Sequence, residues 1–90
     1  MLLLALLAYY AVGRASAACA LQPGMNNHGV NLVQSAATSA QDCCSQCREA
    51  SGCLGFTFVP AEGRCYVKSA LGAPVADAGA VSGTPPQGTD

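Results

Sequence analysis

Six cysteines carry most of the chemistry available to this 90-residue chain. Cysteine side chains can form disulfides, exchange thiols with a partner, or bind a zinc ion. Which of these applies depends on the spacing of the residues and on the compartment in which the protein resides. Five of the six lie close together and one lies far upstream: Cys43, Cys44, Cys47, Cys53 and Cys65, with Cys19 before them.

Two uses of these thiols compete with structural disulfides. Cys44 and Cys47 have the Cys-x-x-Cys spacing of a redox pair, but a thioredoxin-like role needs a βαβ pattern around them, and the sequence shows none. Cys44, Cys47, Cys53 and Cys65 could instead surround a zinc ion tetrahedrally. Such a site needs a reducing compartment, so a small zinc-binding protein is the alternative for a chain that is not secreted.

The first residues favour secretion. Met1 to Val12 is an almost continuous apolar segment, shorter than the roughly 20 residues that a membrane-spanning helix needs. Ala15-Ser16-Ala17 follows it as a small-residue cleavage pattern, although no lysine or arginine precedes the apolar segment. We therefore predict a signal peptide over residues 1–17, a secreted mature chain starting at Ala18, and no stable membrane insertion after cleavage.

The mature chain is short and slightly acidic. A domain of this size buries too little surface for a secure core and usually gains stability from disulfides or a metal. An even number of cysteines behind a secretion signal favours three disulfides and no cofactor. The charges exclude a basic surface for nucleic acid; the three basic residues are Arg48, Arg64 and Lys68, and the five acidic ones are Asp42, Glu49, Glu62, Asp77 and Asp90.

A helix is predicted over residues 40–50, where it would position three of the cysteines. Thr38 and Ser39 are both suitable N-caps, and Gln41 stands three residues after Thr38, which is the spacing of a capping box. Asp42 in the first turn suits the positive end of the helix dipole. These signals together place the helix start just after Ser39.

The other end of this helix is marked by Arg48 in the last turn and by Gly52 at the position of a left-handed C-terminal cap. Within the helix, Cys43, Cys44 and Cys47 are three and four residues apart. They therefore lie on or near one face, directed at the element on which the helix packs.

A β-hairpin is predicted after the helix. Residues 54–59 alternate in the manner of a strand, with Leu54, Phe56 and Phe58 on one face. A proline and a short turn follow, and residues 64–68 form the returning strand. A domain so poor in large apolar residues needs these aromatic side chains in its core.

The remaining segments complete a small domain. Residues 19–34 are predicted to form an irregular strand with turns, and residues 80–82 a further short strand. The predicted boundaries are a signal peptide at 1–17, a domain at 18–83, and a linker or free tail at 84–90. The fold class is α+β: one short helix packed on a small antiparallel sheet and linked to it by three disulfides.

The predicted elements narrow the disulfide pairing without determining it. One capped turn separates Cys47 from Cys53, so a bridge between them is easy to close. Cys43, one helical turn before Cys47, can reach Cys65 on the returning strand of the hairpin. Six cysteines nevertheless allow 15 connectivities. The pairs that the geometry favours are Cys47–Cys53, Cys43–Cys65 and Cys19–Cys44.

The cysteines and the residues between them resemble the PAN/apple domain family. That pattern has two helix cysteines three residues apart, a third cysteine before a strand of alternating aromatic residues, and a Cys-aromatic-aliphatic-Lys strand. The resemblance extends over about residues 19–83. The segments that carry it are Cys43-Cys44-Ser-Gln-Cys47-Arg-Glu-Ala-Ser-Gly-Cys53-Leu-Gly-Phe56-Thr-Phe58, Cys65-Tyr66-Val67-Lys68-Ser69 and Ala80-Val81-Ser82-Gly83.

The resemblance implies Cys43–Cys65 and Cys47–Cys53 as bridges between helix and sheet. Apple domains of blood-clotting proteases also join their first cysteine to one near the C-terminus, whereas no cysteine follows Cys65 in this chain. The doublet is similar to a variant found in secreted proteins of oomycetes and other microbial eukaryotes, in which the extra helix cysteine takes the N-terminal partner. An exchange of partners between Cys43 and Cys44 stays open.

The resemblance also implies a function, which is recognition of proteins or carbohydrates without catalysis. We expect a secreted, lectin-like adhesion module with an extracellular glycan or protein as partner. The alternative is an accessory apple domain belonging to a larger extracellular protease or other multi-module protein.

The candidate ligand contacts are Tyr66, Lys68 and Arg64 on the returning strand, with the loop around Asn26 to Gly29 as a second surface. An exposed tyrosine beside charges could stack on a sugar or anchor a protein, although an ordinary solvated strand face is the simpler interpretation. His28, the only histidine, lacks a neighbouring nucleophile or carboxylate in the sequence and is interpreted as part of a polar turn. Nothing in the sequence predicts an enzyme.

Overall fold

The computed structural model describes residues 18–86 as one helix and five strands. The strands are β1 (Ala20–Asn27), β2 (Val30–Ala36), β3 (Gly55–Val59), β4 (Arg64–Ala70) and β5 (Pro74–Thr84), and the helix α1 (Ala40–Glu49) connects β2 to β3. The predicted signal peptide and residues 87–90 lie outside the described residues. No helix within residues 18–86 is long and apolar enough to cross a bilayer.

The strands form a single antiparallel sheet in the order β1-β5-β3-β4-β2. The β3–β4 hairpin forms as predicted, with Phe58 opposite Cys65 and Phe56 opposite Val67. The fold class is therefore the predicted one, a short helix on an antiparallel sheet with three disulfides.

Two predicted segments and one predicted boundary differ from the structure. Residues 19–34 hold one whole strand and most of another, and these two strands lie at opposite edges of the sheet. The strand predicted over 80–82 is the end of the long strand β5, which begins at Pro74. It ends at Thr84, opposite Ala20, one residue beyond the predicted domain boundary. Small and polar residues in β5 hide its alternation, and only its pairing with β1 and β3 makes it a strand.

Side-chain hydrogen bonds fix the start of helix α1. Ser39 is the N-cap, and its Oγ accepts the backbone N–H of Asp42 at 3.0 Å. The Asp42 carboxylate in turn accepts the backbone N–H of Thr38 at 3.0 Å. The predicted box between Thr38 and Gln41 is therefore not observed: Ser39 is the N-cap, and the Asp42 carboxylate accepts from Thr38, the residue before the N-cap. A carboxylate in the first turn also suits the positive end of the helix dipole.

The end of the helix also differs slightly from the prediction. The C-cap is Ala50 in an extended conformation, and its N–H donates to the carbonyls of Gln46 and Cys47. Gly52 does adopt a positive φ of 88°, but it does so two residues later, in the turn that leads into Cys53. The glycine therefore reverses the chain toward β3 and does not close the helix itself.

The core lies between α1 and one face of the sheet. Its central side chains include Phe56, Val67, Cys43 and Cys65, each fully buried. Phe56 and Phe58 are core residues as predicted. Leu54 was predicted to share their face, but it precedes β3 and is half exposed, which corrects that prediction.

Three disulfides connect the elements around this core. Cys43 is joined to Cys65, which links α1 to β4. Cys47–Cys53 closes the turn after the helix, and Cys19–Cys44 attaches the start of the chain to the same helix face. These are the pairs that the family resemblance implies. Cys43 is bonded to Cys65 in the strand, and Cys44 is bonded to Cys19 near the N-terminus.

Candidate functional site

The sheet face opposite the helix is polar and hollow. Cys65 and Val67 of β4 point toward α1, so Tyr66 and Lys68 between and after them point away from it. A cleft of about 270 Å³ opens on this helix-free face. We call it the polar cleft; it is lined by Asn26, His28, Asn31, Thr57, Val59, Glu62, Tyr66, Lys68 and Asp77.

Lys68 forms part of the cleft wall and is far more enclosed than the solvated strand face that the sequence suggested. Only 6% of its surface is exposed. Its Nζ donates to Asn31 Oδ1 at 2.6 Å and lies 5.7 Å from the centre of the Tyr66 ring. Burial alone lowers the pKa of Lys68 from its ordinary value, since removal from water disfavours the charged ammonium.

No carboxylate neutralises this ammonium within residues 18–86. The hydrogen-bond partner of Lys68 there is the neutral amide of Asn31, and no neighbouring charge contributes to the shift of its pKa. Glu62 and Asp77 line the same cleft, but one oxygen of each carboxylate is engaged elsewhere: Glu62 Oε1 accepts from the Tyr66 hydroxyl, and Asp77 Oδ1 accepts from the backbone N–H of Gly79.

Tyr66 is half buried and held at its polar end. Its hydroxyl donates to Glu62 Oε1 at 2.6 Å across the β3–β4 turn. This hydrogen bond is the main reason that the pKa of Tyr66 is raised, with smaller contributions from burial and from the negative charge of Glu62. Arg64 acts weakly in the opposite direction. The ring is thereby fixed in orientation at the side of the cleft.

The sequence-predicted contact residues are thus only partly brought together. Tyr66 and Lys68 both line the cleft, and Asn26 and His28 from the predicted loop surface join them. Arg64 is exposed at the start of β4 and does not belong to the lining.

Sequence reasoning missed Asn31, Glu62, Thr57 and Asp77. Glu62 had a detectable signal, because a residue in a tight turn is close to the strand that follows it. Asn31 had none, since its position depends on β2 pairing with β4. That pairing is irregular on both sides of Asn31, which places it directly opposite Lys68 while Leu32 remains exposed.

The cysteines offer no metal site in this arrangement. All six lie within residues 18–86 and are joined in disulfides. Within the same residues, no cluster of histidine, cysteine and acidic side chains is arranged to hold a metal ion. The four cysteines of the zinc alternative therefore carry no thiolate here.

The fold and the cleft define a disulfide-linked α+β domain whose sheet carries a polar cleft on the face opposite the helix. The family model described as PAN domain matches residues 19–84, and the chain belongs to the PAN domain family. The solution structure of a PAN module from Eimeria tenella is similar to it, with 28% sequence identity and a TM-score of 0.56. The match covers 71% of this chain and 76% of the Eimeria module. No curated protein matches the chain.

Membership of this family sets the general kind of function. PAN modules are adhesion domains that bind proteins or carbohydrates, and they are generally not catalytic. Members with several disulfides are typically extracellular, since such bonds persist in oxidising surroundings.

Proposed function

We propose that this chain is a secreted, non-catalytic recognition module that binds a glycan in the polar cleft. The observation that carries the proposal is the combination of groups in one small hollow: a tyrosine ring, an ammonium, amides, a hydroxyl and two carboxylates. Sugar hydroxyls both donate and accept hydrogen bonds, and the apolar face of a sugar ring stacks on an aromatic one. The cleft offers each of these interactions within about 270 Å³.

Binding of the oxidised chain from Ala18 to Asp90 to a glycan array, with cellulose and chitin pulldowns beside it, tests this proposal. We expect saturable binding that Tyr66→Ala reduces at least tenfold, because truncation of an aromatic contact removes both area and orientation. Tyr66→Phe keeps the ring and loses only the hydrogen bond to Glu62, so it should retain most of the binding. Arg64→Ala, on the same strand but outside the lining, is the matched control. The absence of saturable binding to any glycan would reject the glycan assignment and favour a protein ligand.

Secretion belongs to the same proposal and has its own test. Expression of the full chain in a eukaryotic secretory host should release a protein whose N-terminal residue is Ala18. Retention of the intact chain in the cytosol, with reduced cysteines, would contradict it.

One feature also favours use of the domain as an accessory module in a larger protein. Ala20 at the start of β1 pairs directly with Thr84 at the end of β5, so both ends of the domain emerge at one place. Domains with adjacent termini are readily placed between other domains. A longer transcript that encodes further modules in frame would support this second proposal.

A further inference from the structure

Within residues 18–86, the ammonium of Lys68 forms no direct ion pair, and its hydrogen-bond partner is the neutral amide of Asn31. An ammonium has three N–H donors, and Lys68 uses one of them in its hydrogen bond to Asn31. Enclosing an ammonium without an opposite charge is unfavourable, and that cost falls when an anion is brought beside it. The cleft is therefore poised to accept an anionic group at Lys68.

Asn31 defines the shape of that group. Its Oδ1 accepts from Lys68, so the amide is turned with Nδ2 as its remaining donor. A planar carboxylate could accept from Lys68 with one oxygen and from the Asn31 amide with the other. This is a two-donor arrangement of the kind that charge-assisted hydrogen bonds favour.

The acidic residues of the cleft limit how much negative charge it tolerates. Glu62 and Asp77 belong to the lining, and each already accepts a hydrogen bond from the protein. Their charges would repel a dianionic phosphate or a densely sulfated chain more strongly than a single carboxylate. The small cavity volume likewise suits one sugar residue and not an extended polyanion.

We infer that the glycan bound in the polar cleft carries a carboxylate, as uronic and sialic acids do, and that this carboxylate pairs with Lys68 and Asn31. The inference rests on the proposed function, since it names the class of sugar that the same cleft selects. It predicts that an acidic sugar binds more tightly than a neutral sugar of the same linkage.

Matched saccharide pairs test this inference. Calorimetry of the oxidised chain would compare the methyl glycoside of galacturonic acid with its carboxyl-reduced product, and sialyllactose with its carboxyl-reduced product. At least one acidic member should bind about tenfold or more tightly than its neutral partner, which is the gain of one charge-assisted hydrogen bond. A densely sulfated oligosaccharide should show no comparable gain, because Glu62 and Asp77 repel its higher charge. An equal gain would contradict the assignment to a single carboxylate.

Two variants assign the preference to the named residues. Lys68→Met removes the ammonium and should abolish the preference. Lys68 is enclosed, so a second variant at an exposed position, Asn31→Asp, separates the loss of the charge from an effect on the fold. Its carboxylate would form an ion pair with the Lys68 ammonium, and the affinity ratio should fall to about one. Arg64→Met removes an exposed cation outside the lining and should leave the ratio unchanged.

The outcomes separate the two proposals. If glycans bind but each neutral member binds as tightly as its acidic partner, the carboxylate inference is wrong and the proposed function stands. If the acidic preference exists but persists in Asn31→Asp and Lys68→Met, the assignment to this pair is wrong. If no glycan binds at all, the proposed function fails and the inference fails with it.

Discussion

At the scale of single residues, the hydrogen bond between Tyr66 and Glu62 at the side of the polar cleft can be tested directly. Tyr66 is the only tyrosine after residue 17, so the ultraviolet absorbance of tyrosinate in a chain from Ala18 to Asp90 reports on it alone. Its pKa should lie above the ordinary value of 10.0, because the hydrogen bond to Glu62 holds the phenol proton. Glu62→Ala should lower this pKa toward the ordinary value, since it removes the hydrogen bond, the main cause of the shift, together with the carboxylate charge. Glu49→Ala, on the helix, is the control, and an unchanged pKa in Glu62→Ala would refute the contact.

The raised pKa of Tyr66 makes the stability of the fold depend on pH. A phenol whose pKa is higher in the folded state stabilises that state below the unfolded pKa, and this contribution is lost as pH rises through the folded pKa. Lys68 acts in the opposite sense: its pKa is lowered in the folded state, so its contribution to stability improves as pH rises between the folded and unfolded values. Chemical denaturation of the Glu62→Ala variant at alkaline pH should therefore show a smaller loss of stability with pH than the parent chain.

At the scale of elements, the packing of β5 on β3 is the contact least visible in the sequence. Gly83 lies directly opposite Phe56, and a Cβ built there would be 2.3 Å from the Phe56 ring. Gly83→Ala should therefore lower the free energy of unfolding by about 2 kcal/mol, the typical effect of overpacking a core. Gly79→Ala, in the same strand, is the matched control, because its Cβ would meet Asp77 Oδ1 at an ordinary 3.6 Å. Urea denaturation measures both; equal stabilities would show that β5 is not packed on Phe56.

At the scale of the whole molecule, the disulfides constrain the unfolded chain unequally. Cys43–Cys65 and Cys19–Cys44 close loops with separations of 22 and 25 residues, whereas Cys47–Cys53 closes one of 6. Loop-closure entropy predicts a loss of about 3 kcal/mol when Cys43 and Cys65 are both replaced by alanine, against about 2 kcal/mol for Cys47 and Cys53. Thermal unfolding of the two double variants checks this order, and peptide mapping of the parent chain checks the pairs. A larger loss for the short loop would show that strain or core packing, and not chain entropy, determines the contribution.

Several elements were predictable because their signals are local. The helix start follows from Ser39 and Asp42, whose side chains satisfy the first backbone donors. The β3–β4 hairpin follows from alternating aromatic residues and a turn, and Phe56 and Phe58 entered the core as expected. Leu54 was misassigned because alternation alone does not show where a strand begins. The Cys47–Cys53 bridge is equally local, with a separation of 6 residues, whereas the two longer bridges join elements 22 and 25 residues apart.

The sequence by itself determined the helix, the hairpin and the membership of the PAN family, which depend on local spacing within the chain. It left the partners of Cys43 and Cys44 open, and the structure joins them to Cys65 and Cys19. Only the tertiary structure decided that β5 lies between β1 and β3, and that Asn31 lies against Lys68. The physical reason is that both depend on strand pairing between residues far apart, 37 positions in the second case. A strand made of small residues such as β5 has no periodicity of its own. An asparagine in an edge strand acquires a role only from the lysine that the sheet places opposite it.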